Sequence, residues 1–303
     1  MKICRHSLSP SEEIIDATKR RIEQSICLSS LWFDGFFGEG YDPAANSKVR
    51  GNARFSASHS EFYGAKIKVR LNARFPLPNL DRRLSAFVGS GNDKDFIRDR
   101  FDRINDTMAH ADFPRFDDED RVFAGLGYGL PSNDRFKTDF RAGIRSLRHP
   151  MAFAQARLNW NAWADNDEIV TLRLTPFWTT SDHPGLTLNA EYSRVLTENF
   201  VTRWSNAGTI SDAADGIDWQ TSLTLYQALH RIESGLAYEV FVRGETLDDA
   251  PLHEFGSRTR FRHPIFGGRL YTEWTLGYSF PRENLTQRRE GALLVGVGLL
   301  LPF

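Results

Sequence analysis

The chain has 303 residues, 25% of them charged, and a formal net charge of −1. This charge balance excludes a strongly basic nucleic-acid-binding protein, and an aromatic content of 13% argues against intrinsic disorder. A mean hydropathy of −0.43, together with the lack of an apolar run of about 20 residues, excludes a protein that crosses a membrane with helices.

The first 46 residues differ in pattern from the rest of the chain. Ser9-Pro10-Ser11-Glu12 has the pattern of a helix N-terminal capping box, and isoleucines follow at helical spacing. We therefore expect an N-terminal segment, residues 1–46, with a short amphipathic helix near residues 10–28. No apolar signal sequence is visible at the printed start. Cys4 and Cys27 allow either one disulfide or two unpaired thiols.

From residue 47 onward, apolar and polar residues alternate. Between residues 65 and 75, Ile67, Val69 and Leu71 fall on one side of an extended chain, and Lys66 and Lys68 fall on the other. The alternation recurs between turn signals and predicts 14 strands. Their expected ranges are 47–58, 63–75, 83–91, 121–130, 136–148, 151–163, 169–180, 185–196, 198–209, 217–229, 234–246, 257–264, 269–280 and 290–303.

Apolar and polar residues also alternate in the strands of a soluble β-sandwich. Strand length is therefore the feature that distinguishes a membrane barrel from a sandwich. The predicted strands are mostly about 10–13 residues long, whereas soluble strands average about 5–6 and tilted membrane strands need about 9–11. Trp160, Trp178 and Trp204 fall near strand ends on the apolar side, where membrane interfaces lie. The sequence thus predicts an all-β, antiparallel up-and-down transmembrane barrel of about 14 strands (12–16) over residues 47–303, with a soluble β protein as the alternative.

The last predicted strand carries a second signal. It ends in an alternating apolar row that comprises Val297, Leu299, Leu301 and Phe303. This row resembles the C-terminal assembly signature of bacterial outer-membrane β-barrel proteins, although Pro302 departs from it. Residues 32–37 (WFDGFF) and 77–80 (LPNL) are similar to poorly characterised exported barrels of proteobacteria.

The resemblance implies a bacterial outer-membrane location and a periplasmic N-terminal segment. It also implies three partners: the lipid bilayer, lipopolysaccharide and the barrel-assembly machinery, which would recognise the apolar row that ends in Phe303.

If the apolar faces meet lipid, the opposite faces line the lumen, and these are strongly basic. The predicted lumen-lining basic patch comprises Lys48, Arg50, Arg54, Lys66, Lys68, Arg70, Arg74, Arg258, Arg260 and Arg262. Few acids, among them Asp139, Glu239 and Glu273, share these rows, so we expect a lumen that favours small anions. The alternative is that arginines and acids bridge the lumen and plug it.

The longest predicted connection lies between Asn92 and Asp120 and is rich in acidic residues. Because the last strand is expected to descend to the periplasm, we expect this connection to be a solvated loop outside the cell. Its acidic run is a weak candidate for a divalent cation site, and no cofactor is predicted. The run comprises Asp117, Asp118, Glu119 and Asp120.

The sequence predicts no catalytic residues. It lacks the GxSxG pattern, and in His59-Ser60-Glu61 adjacent side chains point to opposite faces of a strand. The leading hypothesis is a porin-like passive channel for small solutes with an anion-favouring lumen. The alternatives are a closed structural or adhesion-type barrel and, less favoured, an outer-membrane lipid-modifying enzyme.

Overall fold

The computed structural model describes residues 50–77, 83–99, 120–133, 135–146, 150–181, 183–212, 216–266 and 270–302. They form an antiparallel barrel of 14 strands, closed by the pairing of the first strand with the last. The strands are β1 (Arg50–Ser60), β2 (Gly64–Pro76), β3 (Leu84–Asn92), β4 (Asp120–Gly129), β5 (Phe136–Arg145), β6 (Met151–Asp165), β7 (Glu168–Thr179), β8 (His183–Thr197), β9 (Phe200–Ser211), β10 (Asp218–Leu229), β11 (Ser234–Glu245), β12 (Leu252–Ile265), β13 (Leu270–Pro281) and β14 (Ala292–Pro302). The described helices are α1 (Asp93–Arg98) and a 3-10 turn at His230–Ile232.

The alternation in the sequence becomes an inside-out distribution of side chains. Large apolar residues such as Leu223 and Val240 are exposed on the outer face, whereas polar residues such as Arg173, Thr175 and Arg262 are buried on the inner face. A soluble sandwich buries its apolar face instead. A barrel with this apolar outer surface is matched to a bilayer, in which every backbone group must be satisfied within the closed sheet.

The register at the barrel closure fixes the orientation of the last strand. Phe55 on β1 lies opposite Leu299 on β14, and the row Val297, Leu299 and Leu301 faces outward with 41–45% of each side chain exposed. This part of the predicted assembly row is therefore available to lipid. Phe303 lies outside the described residues.

The predicted strands agree with those of the structure, with one shift that affects the lumen. β12 begins at Leu252 rather than at residue 257, so it is a long strand that also carries Glu254. The predicted segment 1–46, its helix near residues 10–28, both cysteines and the stretch 32–37 lie outside the described residues. No helix within the described residues is long and apolar enough to cross a membrane.

The two ends of the barrel differ in their connections. We call one end the loop end; its connections are 61–63, 93–119, 146–150, 180–182, 212–217, 246–251 and 282–291. We call the other end the turn end; its connections are 77–83, 130–135, 166–167, 198–199, 230–233 and 266–269. In outer-membrane barrels the long loops face outward and the short turns face the periplasm, so the expected orientation places the loop end outside the cell.

Candidate functional site

The chain turns into the barrel directly after β3. The side chains of Phe96 and Ile97 on α1 are 4% and 1% exposed, and the helix contacts the inner faces of β3, β4, β6, β7 and β8. The expectation of a solvated loop is therefore wrong for residues 93–99, which lie in the lumen. Residues 100–119 of the same connection lie outside the described residues.

Four phenylalanines from the barrel wall receive the helix. Phe87, Phe123, Phe153 and Phe177 point inward from rows that consist mostly of polar or small residues. The ring of Phe96 stacks on that of Phe123, with centroids 3.9 Å apart, and meets Phe153 edge-on at 5.6 Å. Burying one such side chain contributes roughly 1.5–3 kcal/mol, so apolar packing holds α1 against one side of the lumen.

Asp99, just after α1, anchors the end of the helix through polar contacts. Its carboxylate accepts a hydrogen bond from the Thr175 hydroxyl at 3.0 Å and forms ion pairs with Arg173 at 3.2 Å and Arg157 at 3.6 Å. The Asn189 amide donates to its main-chain carbonyl at 2.8 Å. Asp99 has a φ of 50°, a left-handed conformation that aspartate tolerates better than most residues.

A second buried carboxylate extends this network along the wall. Asp139 accepts hydrogen bonds from both Nε and Nη2 of Arg157, at 3.0 Å and 2.9 Å, and pairs with Arg141 at 3.2 Å. The Arg141 guanidinium also lies 5.8 Å from the centre of the Phe96 ring. Arg157 is thus shared by two acids, and it connects the end of the helix to β5 and β6.

On the other side of the lumen, a row of arginines follows β12. The row comprises Arg258, Arg260 and Arg262, all buried. Arg258 pairs with Glu239, and Arg262 donates from Nε to Glu273 at 2.9 Å. Glu273 also pairs with Arg54 of β1 at 3.0 Å. These carboxylates hold the guanidinium groups in fixed positions.

A narrow cleft runs beside this arginine row. Its volume is about 30 Å³, enough to hold water. Arg54, Arg258 and Arg260 line it together with small residues of β1 and β14: Ser56, Ser58, Gly296 and Gly298. The lumen is therefore asymmetric, with a helix and phenylalanines on one side and arginines facing small side chains on the other.

A further polar cluster lies near the loop end. The Tyr63 hydroxyl donates to Glu254 at 3.0 Å, and Arg243 donates to the Tyr63 oxygen at 3.0 Å and also to Glu254. Burial raises the pKa of the Tyr63 hydroxyl above its ordinary value near 10, so the hydroxyl stays a neutral donor. The cluster connects the turn between β1 and β2 to β11 and β12.

The structure divides the predicted basic patch into two groups. Lys66, Lys68 and Arg70 are half-buried on the inner face of β2. Arg54 lies opposite Arg70 in the register, as expected, but its guanidinium joins the arginine row through Glu273. Arg74 is exposed and donates to a serine hydroxyl of β3 at 3.0 Å. Lys48 and the side chain of Arg50 lie outside the described residues.

Three acids that the sequence interpretation did not place in the lumen do face it. Asp99 arrives with the helix, and Asp218 of β10 pairs with Arg98 at 3.9 Å. Glu254 belongs to the part of β12 that the predicted strand omitted. The charge imbalance in the lumen is therefore smaller than the strand rows alone indicate.

The weak cation candidate lies almost entirely outside the described residues. Asp117, Asp118 and Glu119 are not described, and Asp120 begins β4 with an undescribed side chain. Among the side chains that are described, no group of three or more His, Cys, Asp or Glu residues is arranged to hold a metal ion.

Comparison with known proteins identifies similar folds rather than a family. No protein-family model and no curated protein sequence matches the chain. The high-pH structure of Pseudomonas putida OprB covers 90% of this chain and 99% of its own, with 11% identity and a TM-score of 0.51. The outer-membrane channel DcaP of Acinetobacter baumannii covers 84% of this chain and 96% of its own, with 7% identity and a TM-score of 0.49. A bacterial polysaccharide outer-membrane secretin covers 85% of this chain and 99% of its own, with 12% identity and a TM-score of 0.48. The chain thus has the fold of the bacterial outer-membrane barrels.

Proposed function

We propose that this protein is a narrow passive channel of the bacterial outer membrane for small solutes, with a preference for anions. The observation that carries the proposal is the asymmetric lumen, in which an anchored inward helix faces an arginine-lined cleft. An inward segment of this kind narrows a pathway; among the described strands, α1 packs on β3, β4, β6, β7 and β8.

The size of the barrel supports a partly filled lumen. Barrels of about 8 strands are filled by their own side chains, and barrels of 16–18 strands leave an aqueous channel. This barrel has 14 strands, and α1 occupies part of the additional space. The small cleft adjoins the arginine row, so a solute that enters it meets fixed positive charge.

The preference for anions rests on the inner face of β2. This strand places Lys66, Lys68 and Arg70 in one half-buried row on the inner face. A wall of one charge sign beside a low-dielectric surface concentrates counter-ions of the opposite sign. The expected selectivity weakens at high ionic strength, because salt screens the charges.

A closed structural barrel is the second candidate. The network in which Arg157 joins Asp99 and Asp139 favours this candidate, because ion pairs that fill a lumen leave no room for a solute to pass. Conduction by the purified protein distinguishes the two candidates.

The test is the reversal potential of the purified protein in planar bilayers under a salt gradient. We expect anion selectivity, and we expect Lys68→Glu with Arg70→Glu to shift it toward cations. The matched control is Arg135→Glu with Arg194→Glu, which changes the same number of exposed charges away from the inner row of β2. A cation-selective wild-type channel would refute the preference, and the absence of conductance would favour the closed barrel.

A further inference from the structure

The outer face of β9 carries a polar side chain at the centre of the bilayer. Outward residues at the middle of neighbouring strands, such as Leu223 of β10 and Val240 of β11, are large and apolar. The outward residue at the middle of β9 is Asn206, which lies between the buried inward residues Ser205 and Ala207. A primary amide at this depth faces hydrocarbon, where a polar group without a hydrogen-bond partner is costly.

A chain of hydrogen bonds on the outer face ends at this amide. The indole Nε1 of Trp204 donates to the Thr221 hydroxyl oxygen at 3.1 Å, and the Thr221 hydroxyl donates to Asn206 Oδ1 at 2.7 Å. Thr221 lies directly opposite Asn206 in the register of β9 and β10. Within the described part of the chain, no group accepts a hydrogen bond from Asn206 Nδ2, and Oδ1 keeps a second lone pair. The amide therefore offers both a donor and an acceptor to a neighbour in the membrane.

The surface beside the amide allows a neighbour to approach closely. Ala190 of β8 lies directly opposite Asn206, and Gly208 is the next outward residue of β9. A Cβ at Gly208 would meet only Ile217, at an ordinary 3.6 Å, whereas a Cβ at the inward Gly143 would lie 2.2 Å from a backbone oxygen. The packing of the barrel itself thus does not require a glycine at position 208. Small residues of this kind let two membrane-embedded surfaces come together.

The chemistry of the amide identifies the neighbour. An acyl chain has neither a donor nor an acceptor for the Asn206 side chain. Two copies of one barrel share an orientation in the membrane, so a two-fold axis between them runs along the membrane normal. Residues close to that axis then meet their own counterparts at the same depth. A primary amide is self-complementary in this arrangement, because each Nδ2 can donate to the Oδ1 of the other copy.

We propose that the outer face of β8–β10 around Asn206 is a two-fold interface between two copies of this chain. The two Asn206 amides pair across the axis, and Ala190 and Gly208 provide the close approach. Trp204 and Leu188, each 52% exposed, cover the amide pair from the surrounding lipid. The outward residues next to Asn206 are uncharged, so the contact brings no like charges together.

The first test measures association of the purified, folded protein by sedimentation equilibrium in density-matched detergent. We expect a reversible monomer–dimer equilibrium for the wild type. Asn206→Leu should weaken the association about tenfold or more, which is the loss expected for two hydrogen bonds within a membrane. Asn206→Gln retains the amide and should restore most of the association.

The matched control is Gln227→Leu, which replaces another outward amide. Gln227 lies on β10 toward the turn end and accepts a hydrogen bond from the Tyr238 hydroxyl at 3.1 Å. This variant should associate like the wild type. Heat-modifiable mobility on gels verifies that each variant is folded.

A second test locates the interface without changing Asn206. In a background with Cys4→Ser and Cys27→Ser, single cysteines are introduced and oxidised in native outer membranes. Gly208→Cys should form a disulfide-linked dimer efficiently. Val297→Cys, an exposed outward position on β14, should not.

Three outcomes overturn the proposal. They are a wild type that stays monomeric over the whole concentration range, an Asn206→Leu variant that associates as strongly as the wild type, and equal cross-linking through Val297→Cys and Gly208→Cys. None of these readouts depends on conduction through the lumen, so the two-fold interface and the channel function fail independently.

Discussion

At the scale of single residues, Asp99 determines where the inward helix ends. Its side chain is 1% exposed, and two arginines and a threonine converge on its carboxylate. Burying an unpaired charge costs far more than burying a paired one, so Asp99 and its arginines need one another. The cost of its left-handed backbone conformation is offset by these contacts.

Asp99→Asn should therefore destabilise the folded barrel. It removes a counter-charge from Arg173 and from Arg157, which should lower the free energy of unfolding by about 3 kcal/mol. Urea titration in lipid vesicles, followed by tryptophan fluorescence, measures the change. Asp248→Asn is the control, because Asp248 lies in an exposed turn at the loop end. Equal midpoints for both variants would contradict the anchoring role.

Tyr63 offers a prediction that depends on pH. Its hydroxyl is a donor to Glu254, and burial raises its pKa. In an absorbance titration at alkaline pH, the difference between wild type and Tyr63→Phe should show one tyrosine that ionises well above pH 10. A difference curve with its midpoint at or below pH 10 would show that the loop-end cluster is open to water.

At the scale of elements, the end of β3 directs α1 into the lumen, where inward phenylalanines of the barrel wall pack against the helix. The pairing of β3 with β2 extends to Gly89, whereas its pairing with β4 continues to Asn92. The constriction therefore arises from the turn of the chain after Asn92.

The last strand carries a prediction about assembly. Deletion of Phe303 should lower the heat-modifiable, folded fraction in the outer membrane, because the apolar row Val297, Leu299 and Leu301 faces outward and Phe303 completes it in the sequence. Phe266→Ala, which alters an exposed phenylalanine in a turn, is the control. An unchanged folded fraction after the deletion would mean that the row is not the assembly signal.

The strands were predictable because each has one lipid-facing and one lumen-facing side. Apolar and polar residues therefore alternate along each strand, and the sequence shows this pattern directly. The inward helix was not predicted, because the sequence between Asn92 and Asp120 is acidic and resembles a solvated loop. A signal was nevertheless present in Phe123, Phe153 and Phe177, which are large apolar residues in inner rows that consist mostly of polar or small residues. Such residues need an apolar partner inside the barrel.

The charges of the lumen were predicted only in part. The inner position of Arg54 and its neighbours followed from alternation, but ion pairs between strands that are distant in sequence, such as that of Arg54 with Glu273, depend on how the barrel closes. Periodicity gives the face on which a side chain lies and not its partner across the lumen.

At the scale of the whole molecule, the apolar outer surface and the polar interior require a membrane, and orientation in that membrane is the next question. A cysteine introduced at Asn105 should react with an impermeant maleimide on intact cells, whereas one at Asn79 should react only after the outer membrane is opened. In the order of the strands, Asn105 belongs to a connection of the loop end and Asn79 to a connection of the turn end. The reverse pattern would invert the proposed orientation.

The most direct test of the account is the single-channel conductance of the purified, folded protein in planar bilayers, compared with that of Phe96→Ala combined with Ile97→Ala. The account predicts small discrete steps for the wild type and larger steps for the variant, because removing two buried side chains from α1 widens the constriction. Leu247→Ala, in an exposed turn at the loop end, should conduct like the wild type. If folded protein conducts in neither form, the lumen is closed and the channel proposal is wrong.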